Sequence, residues 1–354
     1  MKSIKNHILT GQQVSLISEI ERFQGAFVAT KFQRSALIDS LKQTSIITSS
    51  GASTRIEGAM LADEQVKELV EKGCEINNMS SRSEREVAGY VKALNYIYDN
   101  YSKLEISEKS IREIHQILTS ELLEDQLPSK QRGAYKNVPN DVVETDIDTK
   151  EVIRVWFKTT PPGPETITAM ANLISDYETL RSNKECHPLI LISSFVVHFL
   201  AIHPFRDGNG RLSRLLTTLL LLRHEYIWSQ YTSHEKVIED NKEGYYVSLR
   251  STQSSFENET PNYNEWINFF LKIVSMQTVF LNSKIIKKSP ISVMNDNEKN
   301  IYQIIEGAGE CKVAYILEHT TMKRPGLKSL LKRLTDKGLI VKQGQGKGTT
   351  YLIK

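Results

Sequence analysis

The chain has 354 residues, of which 40% are hydrophobic and 25% charged, and its formal net charge is +3. That length allows a sizeable core and two or three domains. The composition excludes a disordered or fibrous chain, and so small a net charge, taken whole, gives no argument for nucleic acid or an anionic membrane as partner. Cys74, Cys186 and Cys311 lie far apart and form neither a CxxC pair nor a zinc-ligand spacing. Reduced thiols in a reducing compartment are therefore expected.

Taken in chain order, the start "MKSIKNHILTGQQ" has no apolar stretch long enough for a secretory signal, which with the thiols points to a cytoplasmic location. At 52–61, "ASTRIEGAML" contains Thr54-x-x-Glu57, the spacing of a capping box that would start a helix. Helical periodicity follows in "SEREVAGYVKALNYIYDNY" (83–101), with Val87, Tyr90, Val91, Leu94, Ile97 and Tyr98 on one stripe. "SEKSIREIHQILTSELL" (107–123) repeats it with Ile111, Ile114, His115 and Leu118. Between 133 and 162, β-branched runs flank "TDIDTKE", which predicts a short β-hairpin at about 134–158. A helix, "ETITAMANLISDYETLRS", follows the "PPGP" breaker at 161–164.

The most apolar segment, "PLILISSFVVHFLAI" (188–202), is shorter than the roughly 20 residues of a membrane span and contains His198, so it reads as a buried helix and no membrane partner is expected. Another helix covers 262–285, and Pro290 interrupts the pattern at a domain boundary within 285–299. Beyond it come helices at 296–306, about 312–318 and about 325–337, then an alternating, Gly-rich ending. That order is the order of a winged helix-turn-helix. After residue 322 there are nine Lys or Arg against the single acid Asp336, so the positive charge is concentrated at this end.

The chemistry concentrates in "HPFRDGNGRLSR" (203–214), a loop between two apolar helices. A helix N-terminus presents unpaired N–H groups and the positive end of its dipole, which suits a phosphate. Gly208 and Gly210 allow a close backbone approach, and Asn209 can add an amide donor. Arg211 and Arg214, three apart, can project from one helix face toward a polyphosphate. Asp207 is an oxygen ligand of the kind Mg²⁺ takes beside nucleotide phosphates, and His203 can accept a proton near neutral pH. Singly, each has a bland reading as cap, turn or solvated arginine. Together they order a base, a metal ligand, an anion nest and phosphate clamps for one reaction.

This stretch matches every defined position of the Fic signature, His-x-Phe-x-(Asp/Glu)-Gly-Asn-Gly-Arg-x-x-Arg, and the chain thereby resembles the Fic family. The resemblance spans roughly residues 100–285 and implies a mainly α fold: a helical core at 101–288 with the 134–158 hairpin as its flap. A helical region at 1–100 precedes it, with an inhibitory helix near 48–62, and a winged helix-turn-helix domain at 292–354 follows. The implied activity is transfer of AMP from Mg²⁺-bound ATP to a hydroxyl of a target protein, with release of pyrophosphate. His203 would deprotonate the attacking Ser, Thr or Tyr, and Phe205 would pack inward to hold the loop. Asp207 would bind Mg²⁺. Gly208, Asn209 and Gly210 would cradle the phosphates, Arg211 would neutralise the departing pyrophosphate, and Arg214 would hold the γ-phosphate. Relatives that act as kinases carry lysine where this chain has Gly210. The target would add an extended segment to the flap. Asn241, Tyr245 and Tyr246 resemble the lining of the adenosine side.

In the same family, Ser53-x-x-x-Glu57-Gly58 is the inhibitory motif, and it implies that Glu57 pairs with Arg214 and misaligns ATP. In some relatives that glutamate supports the reverse, AMP-removing reaction. A rival reading is a nucleotide-sensing regulator whose basic C-terminal module binds DNA, or a protein. Glu57 disfavours an uninhibited toxin, and the intact motif disfavours a degenerate nucleotide binder. Family members often form homodimers, and nothing in this sequence specifies an interface.

Overall fold

The computed structural model describes residues 1–29, 36–74, 79–145, 152–256, 258, 261–288 and 294–353. The chain divides into two compact units, Met1–Phe280 and Leu281–Lys354. The first opens with α1 (Gly11–Ala29) and α2 (Ala36–Ile56), followed by α3 (Asp63–Glu71). The capping-box spacing at Thr54 does not start a helix; it lies in the last turns of α2. Thr54 Oγ1 donates back to the carbonyls of Ser50 and Gly51. Gly58 (φ +98°) ends α2 in the left-handed region. The amide of Ala59 donates to Thr54 O and that of Gly58 to Arg55 O, which is a Schellman termination. The glycine of the Ser53–Gly58 motif is thus a C-terminal cap.

α4 (Arg82–Asn100) starts in a capping box made by Ser81 and Glu84 and buries the whole expected stripe. α5 (Glu108–Leu118) ends earlier than the pattern to residue 123 suggests. Thr119 Oγ1 donates to His115 O there, and the apolar pattern continues in a turn that buries Leu122. α4 and α5 cross tightly at Gly89, where a Cβ would collide with the Leu118 carbonyl.

The hairpin consists of β1 (Val142–Thr145) and β2 (Val152–Phe157), antiparallel, with Val142 opposite Phe157. It is shorter than the expected 134–158, because residues 134–141 run as a loop in which Lys136 and Asn140 turn inward. From residue 146 to 151 the "TDIDTKE" turn lies outside the described residues. α6 (Pro164–Ser182) follows Gly163 at φ +90°. α7 (Pro188–Ile202) and α8 (Asn209–Arg223) are the central pair, and α7 is buried on every side as its uniform apolarity requires. Each Leu, Ile or Phe buried there contributes about 1.5–3 kcal/mol. α9 (His234–Asp240) packs against α2, α10 (Lys242–Gln253) against α7, and α11 (Asn264–Lys288) completes the helical series.

The second unit contains α12 (Asp296–Ala308), β3 (Glu310–Lys312), α13 (Val313–Glu318), α14 (Arg324–Asp336), β4 (Ile340–Gln343) and β5 (Thr350–Ile353). Its antiparallel sheet has the order β3-β5-β4. Ile301, Ile305, Ile316, Leu327, Leu330, Leu331 and Leu334 form its core. β3, at three residues, is too short to leave a periodicity. Pro290, the expected boundary mark, lies outside the described residues. No helix among the described residues is long and apolar enough to cross a membrane.

Candidate active site

The α7–α8 connection is built by its own side chains. His203 ends α7 in a left-handed conformation (φ 52°, ψ 57°), and Gly208 (φ 80°) occupies the cap position of α8. Phe205 is fully buried and stacks on His115 at 3.9 Å between ring centres. Asn209 clasps the same loop, accepting from Phe205 N at 3.0 Å and donating to Phe205 O at 2.6 Å. The side-chain amide expected to serve a ligand is therefore engaged within the loop. What remains for an anion are the first-turn backbone amides of α8, which have no acceptor within the helix, and Gly208 supplies no capping side chain.

His203 is half-buried, with Nδ1 3.2 Å from Leu200 O. A carbonyl only accepts, so Nδ1 carries the proton and Nε2 keeps a lone pair in the neutral ring. Burial pushes its pKa below the usual histidine value, with the neighbouring Lys136 charge adding to the effect. Beneath it lies a polar cluster that periodicity could not reveal. Lys136 Nζ donates to Asn140 Oδ1 (2.6 Å), Thr159 Oγ1 (2.8 Å) and Ile202 O (3.2 Å). Asn140 in turn donates to the carbonyls of His203 and Phe205 at 3.1 and 2.7 Å. Burial lowers the Lys136 pKa to about 8, against the pull of Asp141. His115, anticipated as a core position, also braces the loop: Nε2 donates to Asp207 O at 2.9 Å and Nδ1 accepts from Gly133 N at 2.9 Å.

A cavity of about 510 Å³ opens over this loop. It is lined by His203, Asp207, Gly208, Asn209, Gly210 and Arg211, by Glu57 and Gly58 after α2, and by Arg82 and Glu86 of α4. Val142 and Phe157, the paired residues at the base of the hairpin, reach its edge. A ring of four charges closes one wall. Arg82 contacts Asp207 Oδ2 (2.6 Å) and Glu86 Oε1 (2.8 Å), and Arg211 contacts Asp207 Oδ1 (3.0 Å) and Glu86 Oε1 (3.3 Å). Burial opposes the Asp207 charge, but Arg211 and Arg82 outweigh it and hold the pKa below the ordinary carboxylate value. Arg82 and Glu86 escaped the sequence reading because nothing in "SRSEREVAGY" (81–90) separates them from a solvated first turn.

Arg214 does not line the cavity, although Glu57, bound to it, does. Its side chain is 2% exposed. Nε donates to Ser53 Oγ, and Nη2 to both Ser53 O and Glu57 Oε1, each at 2.8 Å. A cation at the C-terminal end of α2 satisfies an orphan carbonyl and offsets a carboxylate otherwise disfavoured by the helix dipole. Burial opposes the Arg214 charge, yet Glu57 and its neighbours raise its pKa above the usual arginine value. Gly210 leaves room for this contact: a Cβ there would press on the Glu57 carboxylate and force it to shift.

On the remaining wall, Tyr245, Tyr246, Leu249, Arg250 and Gln253 line the cavity. Asn241 does not: it is exposed at the joint between α9 and α10, and its side chain donates to Val237 O in α9. Trp156 of β2 lies between two guanidiniums, Arg154 at 4.0 Å and Arg250 at 4.5 Å, so the hairpin rests on α10. The donor set fits a polyphosphate. Arg211 Nε, a buried nitrogen beside the cavity, has no hydrogen-bond partner in the structure. No cluster of three metal-ligating side chains occurs among the described residues. The single ionised Asp207 fits a Mg²⁺ that takes most of its ligands from phosphate and water.

The fold and cavity define a helical domain in which one helix–loop–helix presents an anion-binding backbone beside a histidine. Residues 105–221 match the Fic/DOC family. It is 27% identical over 175 residues to the protein adenylyltransferase Fic of Drosophila willistoni, covering 49% of this chain and 31% of that protein. It is 31% identical over 169 residues to protein adenylyltransferase fic-1 of Caenorhabditis briggsae, covering 48% and 30%. The matched part thus spans under a third of the length of either relative. In fold, the chain resembles a Fic family protein from Desulfovibrio desulfuricans G20, with a TM-score of 0.62 at 21% identity, covering 98% of this chain and 97% of that one. It also resembles Fic-1 (aa134–508) from C. elegans, with a TM-score of 0.58 at 20% identity, covering 78% and 73%.

Proposed function

We propose that this protein transfers AMP from Mg²⁺-bound ATP to a Ser, Thr or Tyr hydroxyl of a target protein and is held back by its own α2. The observation that carries this reading is the placement of His203, Asp207 and the open N-terminus of α8 on one cavity. The hydroxyl oxygen forms a bond to the α-phosphorus while the bond to the β-phosphate oxygen breaks. His203 Nε2 takes the hydroxyl proton, and pyrophosphate leaves with the electron pair. The α8 amides and Arg211 face the charge that develops on the phosphates, which is a matter of position and electrostatics. Bound Mg²⁺ supplies charge neutralisation between the phosphates, and Asp207 would hold it. The apolar, exposed Val152 and Ile153 of β2 suit an extended target segment.

The brake reading is supported by Glu57, which holds the guanidinium that a γ-phosphate needs. Incubation with α-³²P-ATP or γ-³²P-ATP tests both parts. Label from α only, strongest in Glu57→Gly and absent from Glu57→Gly/His203→Ala, is the expected result. Label from γ would replace the reading with a kinase, and equal α-label in wild type and Glu57→Gly would remove the brake. Removal of AMP by the same site is tested by loss of label from a purified modified protein on adding wild type.

A second reading concerns the C-terminal unit. Its element order and three-stranded sheet support a winged helix-turn-helix. On α14, Arg324, Lys328 and Lys332 fall on one exposed stripe and form no ion pair among the described residues, whereas Arg333 and Lys337 pair with Glu298. We propose that this stripe contacts duplex DNA. Replacing Lys328 and Lys332 by Gln should lower the slope of log affinity against log salt by about two. Failure of the wild type to bind duplex DNA at low salt would leave a protein as the partner.

A further inference from the structure

We propose that Arg82 is an exchangeable counter-ion of Asp207: it pairs with the carboxylate before a divalent cation arrives, yields one oxygen to that cation, and then turns to the nucleotide phosphates. The inference rests on the nucleotide-binding reading above and adds a residue to that site.

The two oxygens of Asp207 are unequal. Oδ1 is held within the motif, accepting from Gly208 N at 2.5 Å and from Arg211 Nη2 at 3.0 Å. Oδ2 meets Arg82 Nη2 at 2.6 Å. A cation that enters from the cavity therefore gains Oδ2 by displacing Arg82. The two arginines differ in what such a movement would cost. Arg211 is 3% exposed and Arg82 is 48% exposed. Moving Arg211 would strip a buried charge of its partner, whereas an exposed pair is worth only about 0–1 kcal/mol.

Arg82 would not leave the cavity once displaced. Its Nε donates to Glu86 Oε1 at 2.8 Å, one turn further along α4. With that anchor in place, Arg82 stays in the cavity that Gly208, Asn209 and Gly210 also line. A guanidinium with a free edge beside phosphate oxygens is a strong, directional donor. The exchange also keeps the charge balanced: the dication replaces the guanidinium at Asp207, and the polyphosphate receives it.

The test is a pair of binding measurements with ADP, which has no γ-phosphate to meet Glu57. One titrates a fluorescent ADP analogue at saturating Mn²⁺; the other titrates Mn²⁺ before ADP is added and follows free Mn²⁺ by its paramagnetic resonance signal. In Arg82→Ala, half-saturating Mn²⁺ should fall roughly two- to fivefold, the span of an exposed ion pair. ADP binding at saturating Mn²⁺ should weaken over a similar range, and Arg82→Lys should lie between. Opposite shifts of the two affinities are not produced by a poorly folded variant. Mn²⁺ half-saturation unchanged or raised in Arg82→Ala overturns the proposal, as does unchanged ADP binding at saturating Mn²⁺. Asp207→Asn separates the layers: if it binds Mn²⁺ as wild type does, the metal site itself has been misplaced.

Discussion

Two arginine–carboxylate contacts flank the same cavity, and they are built for different fates. Arg214 is 2% exposed, and it grips Ser53 twice and Glu57 once. Arg82 is 48% exposed and holds Asp207 by one nitrogen. Opening the first leaves a buried charge without its partner, a cost of about 3–5 kcal/mol, whereas opening the second costs about 1 kcal/mol or less. The same pair of residue types thus makes a lock on one side of the cavity and a replaceable partner on the other. Burial decides which is which.

The largest expected effect lies between the two contacts. Removing the proton acceptor in Glu57→Gly/His203→Ala should lower α-label incorporation by roughly 10²–10⁴ relative to Glu57→Gly alone, with ADP affinity nearly unchanged. A parallel loss of ADP binding would move His203 from the reaction to the binding site. Breaking the buried lock comes next. Releasing a charged hydrogen bond worth about 1.5–3 kcal/mol should raise labelling about 10- to 100-fold in Glu57→Gly. Ser53→Ala, which leaves Glu57 in place, should raise it less. If both variants gave the same gain, the glutamate would have no role beyond holding α2.

Lys136 sharpens the comparison from outside the cavity, because it too is a buried cation with three acceptors. Lys136→Met should cost roughly 1–3 kcal/mol in urea unfolding, through acceptors left without a donor. Full stability in that variant would show that the cluster under His203 is dispensable.

The smallest effect is a drift of stability with pH. Burial lowers the pKa of His115 and His198 to about 4, and burial with nearby arginines does the same to His224. Below about pH 6.5 the unfolded chain takes up protons that these folded sites refuse. Stability is therefore complete above that pH and declines as pH falls toward 4. A thermal midpoint that stayed level between pH 6.5 and 4.5 would contradict the burial of these rings.

The order of residues alone identified the α7–α8 loop, because His203, Asp207, Gly208, Asn209, Gly210, Arg211 and Arg214 lie in one short run whose chemistry is local. Most helices were legible for a similar reason: burial of one face repeats at 3.6 residues, and α4 and α7 display it plainly. Helix ends were less legible. Thr54 and Glu57 satisfy a start signal, and only the left-handed Gly58 turn shows that they end a helix. Asn241 bonds back to α9 rather than lining the cavity, a distinction that sequence spacing does not carry.

Tertiary structure alone decided the partners. Arg82 and Glu86 come from α4, Ser53 and Glu57 from α2, and Lys136 and Asn140 from the loop before β1. None is close to the motif in sequence, and each acquires its role only where packing removes water and leaves a charge one neighbour to choose. The sequence by itself therefore determined which groups can do chemistry. The fold determined which of them are already paired, and how tightly, because the strength of a pair depends on burial, and burial is a property of the whole packed chain.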